Sequence, residues 1–357
     1  MTYLLGRRTG RYLFTKLCIV WSVSFSLDAQ TTIDLDEFNA AYFLYGETKD
    51  SQPEVAREAA RRAYELGREL FGAESERSAM LAINYAAMLE GEATTRIYLD
   101  EAVAIYQSVF GFGSEEMIDP LVRLGQALSD QGRLDLSQEY YNRALELSQI
   151  HLGFDSSKVG VIELELGALK LRVGPLDKAW THLQKAKEVL SNHSDPGSRS
   201  GVTRAHLLIG EYYLARQDFR SAINPLLLSL QEFSRYPSAD IAVRNHIGLI
   251  KAYENLNESG KATQHCLAIG STRRLEKNEN LRPVYRTSLE GFKLENSIRV
   301  SFTVNVEGYV NDPHIVTKIE SEALKKALTD AIQKFRFAPR FVEGSFVESP
   351  NQYYDFR

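Results

Sequence analysis

Residues 124–144 read Leu-Gly-Gln-Ala-Leu-Ser-Asp-Gln-Gly-Arg-Leu-Asp-Leu-Ser-Gln-Glu-Tyr-Tyr-Asn-Arg-Ala. Twelve residues past Gly125 stands the small Ser137, four further the bulky Tyr141, and three further the small Ala144. The frame returns at Leu166-Gly167 with Ala179, Leu183 and Ala186, and at Ile209-Gly210 with Ala222, Leu226 and Ser229. Self-similarity at a fixed period marks a repeat architecture. From residue 33 to residue 269 apolar side chains keep helical spacing and strand alternation is missing, so each unit reads as a helix pair.

A second signature fixes the register. Ala63 to Gly72, Ala102 to Gly111 and Ala144 to Gly153 share one shape, each closing on a glycine that can end a helix in the left-handed conformation. A weaker copy runs through Ile247-Gly248, Ala262, Cys266 and Ile269, and the copy at 84–109 carries extra residues around Gly91–Arg96. The count is six helix pairs with degenerate ends, as capping repeats are. These residues resemble the tetratricopeptide repeat, in the lengthened form of the kinesin-light-chain type. The resemblance implies an all-α solenoid over residues 30–275 with a concave surface that receives a peptide or partner helix. On the family pattern the first-helix residues Gln126, Arg204, Glu211 and Asn245 face that groove.

The chain changes character after residue 276. Ile298, Val300, Phe302, Val304 and Val306 alternate with Arg299, Ser301, Thr303 and Asn305, a half-buried strand over 298–306. Glu307-Gly308 reads as a hairpin turn leading into a second strand over 309–318. Residues 322–334 carry a helical stripe of Ala323, Leu324, Ala327, Leu328, Ala331 and Ile332, continued by Phe335, with Pro339 expected to stop the helix. The closing stretch Gln352-Tyr353-Tyr354-Asp355-Phe356 reads as a final strand.

This order, with Phe302-Thr303-Val304, Glu307-Gly308-Tyr309-Val310 and Phe335-Arg336-Phe337-Ala338-Pro339, resembles the TonB C-terminal domain over residues 283–357. The chain departs from the family where Tyr285-Arg286 stands for Tyr-Pro, Asn296 for a glycine, and Phe335 for a tryptophan. The resemblance implies a small α+β domain at 276–357, an antiparallel sheet with one packed helix. It binds a protein partner, a TonB-dependent receptor or another envelope protein, by strand addition. The docking edge would be the last strand, Gln352, Tyr353, Tyr354, Asp355 and Phe356, where unpaired backbone groups can template an incoming strand. The alternative use of that edge is a homodimer.

Residues 1–29 run from Arg7, Arg8, Arg11 and Lys16 through an apolar stretch at 17–27 to Ala29, the order of a secretory signal peptide. The expectation is therefore a periplasmic protein of a Gram-negative envelope. The alternative is an inner-membrane anchor at residues 13–27 on a TonB-like energy transducer of transmembrane transport. Ten prolines are scattered and repeats stand where a proline-rich spacer would, so the sequence favours binding over transduction. Cleavage near Ala29 would leave one cysteine, Cys266, which reads as a small hydrophobe on an inner helix face.

The formal charge of −5 divides into +3 over residues 1–29 and +1 over 281–357, leaving −9 between them. An acidic middle argues against nucleic acid, whose phosphates need clustered Lys and Arg. The seven histidines have no zinc spacing, and Gly111-Phe112-Gly113 lacks the strand and Gly-Lys-Ser/Thr of a phosphate loop. Glu163 and Glu165, two apart, leave a helix in different directions. No nucleophile elbow is present. The sequence gives no support for an enzyme, a cofactor, a metal or a small-molecule substrate. A purely structural envelope scaffold, its C-terminal domain capping the solenoid, is the remaining alternative.

Overall fold

The computed structural model describes residues 29–49, 51–89, 92–233, 236–273, 279–289, 291–294 and 296–357. The signal-peptide and anchor readings of residues 1–28 lie outside them. Contacts divide the chain into two compact units, one ending at Leu81 and one from Ala82 to Arg357.

In the first unit α1 (Ala29–Thr48) and α2 (Pro53–Phe71) form a helix pair. Pro53 sits in the first turn of α2, where its missing N–H costs nothing. Phe38 meets Phe71 edge-on at 5.1 Å, and Ala56, Ala59, Ala60 and Ala63 line the buried face of α2. The next helix, α3 (Glu76–Ala86), contributes its residues up to Leu81.

The second unit continues with α4 (Glu92–Phe110), α5 (Ile118–Asp130), α6 (Leu134–Leu152), α7 (Ser157–Val173), α8 (Leu176–Ser191), α9 (Pro196–Ala215), α10 (Phe219–Glu232), α11 (Asp240–Asn255) and α12 (Ser259–Thr272). Together with α1–α3 these are twelve helices among the described residues, and contacts pair α1 with α2, α5 with α6, α7 with α8, α9 with α10 and α11 with α12. Residues 92–96, expected as extra, belong to the start of α4. Side-chain caps start several helices: Ser156 accepts from the Val159 N–H, Asp195 from Ser198 and Asp218 from Ser221, each satisfying an otherwise orphaned donor.

The repeat frame places its residues at the crossings. A Cβ added to Gly125 would lie 2.7 Å from the Tyr141 ring, one on Gly167 2.6 Å from Leu183, and one on Gly210 2.5 Å from Leu226. Each glycine of a first helix thus admits the bulky residue of its second helix. The small positions Ser137, Ala144, Ala179, Ala186, Ala222 and Ser229 are all buried, and the Ser137 hydroxyl donates to the Gly125 carbonyl at 2.7 Å. The last pair departs from the frame. Gly248 of α11 is approached by Leu226 of the preceding helix, not by α12. The helix-ending glycines 72, 111 and 153 have positive φ; at Gly72 and Gly153 ψ is extended, so they leave the helix by a more restricted route than the left-handed helical one expected.

After residue 278 the same unit continues as a small antiparallel sheet region. Strands β1 (Pro283–Tyr285), β2 (Ile298–Val304) and β3 (Val310–Ile315) precede α13 (Glu322–Gln333). The short strands β4 (Arg336–Phe337), β5 (Arg340–Val342) and β6 (Ser345–Val347) then lead to β7 (Ser349–Phe356). The main sheet has the order β3-β2-β7, while β1 pairs with β4 and β5 with β6. Along β2 the expected alternation holds from Ile298 to Val304. Val306 is exposed because the strand ends at Val304 and the chain turns. Asn305 builds that turn: its carbonyl accepts from the Gly308 N–H, and its Oδ1 accepts from the Glu307 and Tyr309 N–H groups. Tyr309 therefore belongs to the turn, and the second strand starts at Val310. Ala323 lies off the buried stripe of α13. Pro339 does not end α13; the helix stops at Lys334, whose N–H closes onto Ala331 and Ile332, and Pro339 follows β4.

One short stretch joins the two halves of this unit. Phe335 and Phe337 enter the core of the sheet region with Val300, Phe302, Leu328 and Ile332. Ala338 packs with Leu249, Cys266 and Ile269 of the last helix pair. Arg336 points the same way as Ala338, with a strand's period of two. It is 1% exposed and forms an ion pair with Glu254 of α11. It also donates to Thr263 Oγ1 at 2.7 Å and to the Glu307 carbonyl at 3.1 Å, and its guanidinium lies 3.7 Å from the Tyr309 ring centre. Burial pushes the neighbouring Cys266 thiol up to about 12, consistent with the small hydrophobe expected there.

Candidate protein-binding surfaces

Counted from each repeat glycine, the residues one and five positions on fall on the same side of the first helix. Gln126, Ala168 and Glu211 hold the first position; Asp130, Arg172 and Ala215 hold the second. All six line one concave cleft of about 380 Å³, together with Glu165, Arg204 and Arg244. The cleft therefore draws on the first helices α5, α7, α9 and α11 of four consecutive pairs.

Charges in the cleft are shared between repeats. Arg204 of α9 holds Glu165 of α7 through both terminal nitrogens, one at 2.8 Å. Arg244 of α11 reaches Glu211 of α9 at 2.8 Å. Arg172 of α7 donates to the Ser129 carbonyl of α5 at 2.9 Å. The bond to Glu165 holds the Arg204 guanidinium above its ordinary range. These bridges fix the orientation of the groove-lining side chains before any ligand arrives.

Of the four first-helix residues named from the family pattern, Gln126, Arg204 and Glu211 line this cleft; Asn245 does not. It is completely buried at the crossing with α10, where its Nδ2 donates to Ser229 Oγ at 2.9 Å and to the Ile241 carbonyl at 3.0 Å. Register arithmetic would have found this. Asn245 stands seventeen residues before the small Ala262, and the residues seventeen before Ala179 and Ala222 are the buried Ile162 and Ala205. The same arithmetic yields Asp130 and Arg172, which the family pattern did not supply.

The last strand runs from Ser349, earlier than the expected start at Gln352, and forms one edge of the main sheet. Phe356 and Gln352 are buried, Tyr354 and Asp355 half-buried, and Tyr353 exposed. Tyr353 faces Ser301 on β2 with its own N–H and C=O turned outward. Those outward groups are occupied. Asn280 Oδ1 accepts from the Tyr353 N–H at 3.0 Å and Asn280 Nδ2 donates to its carbonyl at 2.9 Å. The Leu281 N–H donates to Gln352 Oε1 at 2.6 Å. An earlier segment, not a later one, covers this part of the edge. Beyond it Asp355 pairs through its side chain with Arg299, which lowers the carboxyl and places the guanidinium over the Tyr353 ring. The opposite edge, β3, is interrupted by positive φ at Asp312 and by Pro313, features that block strand addition.

The histidines take no part in the groove. His246 is buried and shares a hydrogen bond with His265 at 2.9 Å; burial holds both below the usual imidazole range, His265 at about 4. His182 lies 2.6 Å from the buried Glu163, a pairing between α7 and α8 that spacing did not reveal. Among the described residues no three His, Cys, Asp or Glu side chains gather as a metal site, and no helix is long and apolar enough to cross a membrane.

Known proteins bear on part of this picture. The family model for the tetratricopeptide repeat matches residues 121–157. No curated protein matches the chain. Among solved structures, BtubC (BKLC) from P. vanneervenii is 17% identical over 74% of this chain and 98% of its own, with a TM-score of 0.41. A Rap protein complexed with competence and sporulation factor is 13% identical over 68% of this chain and 76% of its own, with a TM-score of 0.42. The matched stretch starts within α5, covers α6 and ends at the first residue of α7, and a repeat of this type points to a protein–protein interaction module.

Proposed function

We propose that this protein is an exported binding module of the cell envelope that holds two protein partners. The concave cleft takes an extended segment of one. The outer edge of β7 takes a strand of the other, in the manner of the TonB C-terminal domain that residues 283–357 resemble. The observation that carries the reading is the cleft itself: four first helices contribute to it, and its charged side chains are already bridged between repeats. Pre-arranged side chains lose little freedom on binding. At β7 an incoming strand has to displace the segment at residues 280–281, whose Asn280 side chain occupies the Tyr353 backbone and whose Leu281 N–H is bonded to Gln352.

A second reading is favoured by Arg336 and Ala338, which place the sheet region against the last helix pair as a cap. In that scaffold the edge of β7 has no partner. The readings separate in one experiment. Periplasmic extract is passed over the full chain, its Gln126→Arg variant and its Tyr353→Pro variant. Gln126→Arg puts bulk and charge at an exposed groove position and is expected to weaken capture of one protein by about tenfold. Tyr353→Pro removes an outward N–H and is expected to abolish capture of a different one. Tyr354→Pro is the contrast, because its N–H points into the sheet toward Val300 and its loss unfolds the strand. If both folded variants retain the proteins that the parent retains, neither surface is used and the scaffold reading stands.

A further inference from the structure

We infer that the groove does not end with the helical repeats but runs on into the sheet region, and that its far end takes an acidic segment of the bound polypeptide. This rests on the groove reading above. Arg244, which lines the first cleft, shares one face of α11 with Lys251 and Asn255, seven and eleven residues further on. At the helical rise that face extends for about 16 Å. Lys251 and Asn255 line a second cleft of about 580 Å³ whose opposite wall is built by Tyr285, Arg286, Thr287 and Lys334 of the sheet region. At the end of α9 the handover is as close: Ala215 lines the first cleft, and Leu214 and, in the turn beyond, Gln217 line the second.

The two clefts differ in charge. In the first, Arg204 and Arg244 are each matched by a glutamate of the neighbouring repeat. In the second, Lys251, Arg286 and Lys334 have no acidic partner within an ion pair among the described residues. Arg286 donates only to the Tyr354 hydroxyl, at 3.0 Å. The single acid there, Asp330, is held by Lys326 at 2.8 Å. A chain with a formal charge of −5 therefore presents a cationic cleft at the end of its groove. Low-dielectric walls focus such a field, and its complement is a run of Asp or Glu on the ligand. A polypeptide fits better than a nucleic acid, because the acidic middle of the chain repels a long polyanion along the rest of the path.

The test measures fluorescence anisotropy of a labelled (Glu-Gly)4 peptide with the full chain, against (Lys-Gly)4 and a single-stranded oligothymidylate. The glutamate peptide is expected to bind best and to weaken as salt rises. Lys251→Glu/Lys334→Glu, both at exposed positions, should lower its affinity by about tenfold or more while circular dichroism is unchanged. Equal affinity of the double variant, or equal or tighter binding of the oligothymidylate, overturns the inference. Gln126→Arg, at the other end of the path, tells the two ideas apart. If it loses its protein partner while the double variant keeps the glutamate peptide, the groove stands and its acidic extension falls. If it keeps that partner, the groove reading itself has failed.

Discussion

Arg336→Ala is expected to cost about 3–5 kcal/mol of stability, because it leaves the Glu254 carboxylate buried without its counter-charge. The side chain of Arg336 is 1% exposed and that of Glu254 11% exposed, so solvent cannot replace the lost guanidinium at either end. The Ser259 hydroxyl, which donates to Glu254 at 2.7 Å, would remain as the nearest compensation. Thr263 and the Glu307 carbonyl would also lose a donor, and the Tyr309 ring a cation. The double change Arg336→Met/Glu254→Leu removes both charges and should be much milder, since a buried pair contributes little beyond what well-packed apolar residues provide. Urea denaturation of the full chain measures both. A loss below about 1 kcal/mol for the single change would mean that water enters the seam. The sheet region would then be a separate domain tethered to the repeats, and the capping role would fall.

That seam also shows what was and was not legible in the sequence. The repeats were readable because a close helix crossing demands a residue without bulk at a fixed place. Gly125, Gly167 and Gly210 recur wherever Tyr141, Leu183 and Leu226 need room. The alternation along β2 was readable because one face is buried and the other wet. Phe335-Arg336-Phe337-Ala338 shows the same period of two, but its second face meets protein instead of water. An arginine at such a position reads as a solvent residue until its partner is known, and Glu254 lies 82 residues away. Asn280 escaped notice for the same reason, since its two bonds to Tyr353 cross 73 residues. Asn245 was misplaced because the family pattern was transferred to a repeat whose glycine-to-small spacing is two residues longer, which changes the face that α11 turns to the groove. Arg244, Lys251 and Asn255 now hold that face.

Gly308→Ala is expected to cost about 3 kcal/mol, from backbone strain and overpacking together. The residue has φ +84°, where a side chain is strained whatever the space around it. It is also where the β2–β3 turn touches the seam. The Gly308 carbonyl accepts from the Phe337 N–H at 2.9 Å, an added Cβ would overlap the Phe337 carbonyl oxygen, and Cys266 of α12 lies just beyond, with its Cβ at 3.5 Å. The sequence explains the glycine by its turn; the structure adds that strand β4 and helix α12 leave no room for anything larger. Gly344→Ala separates the two causes. Gly344 has nearly the same φ, +85°, with nothing within 4 Å of the added carbon, so its replacement should cost only about 1–2 kcal/mol of conformational strain. Thermal unfolding of the two variants beside the parent gives the difference directly. Equal losses would show that the turn is held by conformation alone and that its contact with β4 and α12 contributes nothing. A larger loss at Gly308 would place the hairpin among the elements that fix the sheet region to the last helix pair, and with it the wall of the second cleft that carries Arg286 and Lys334.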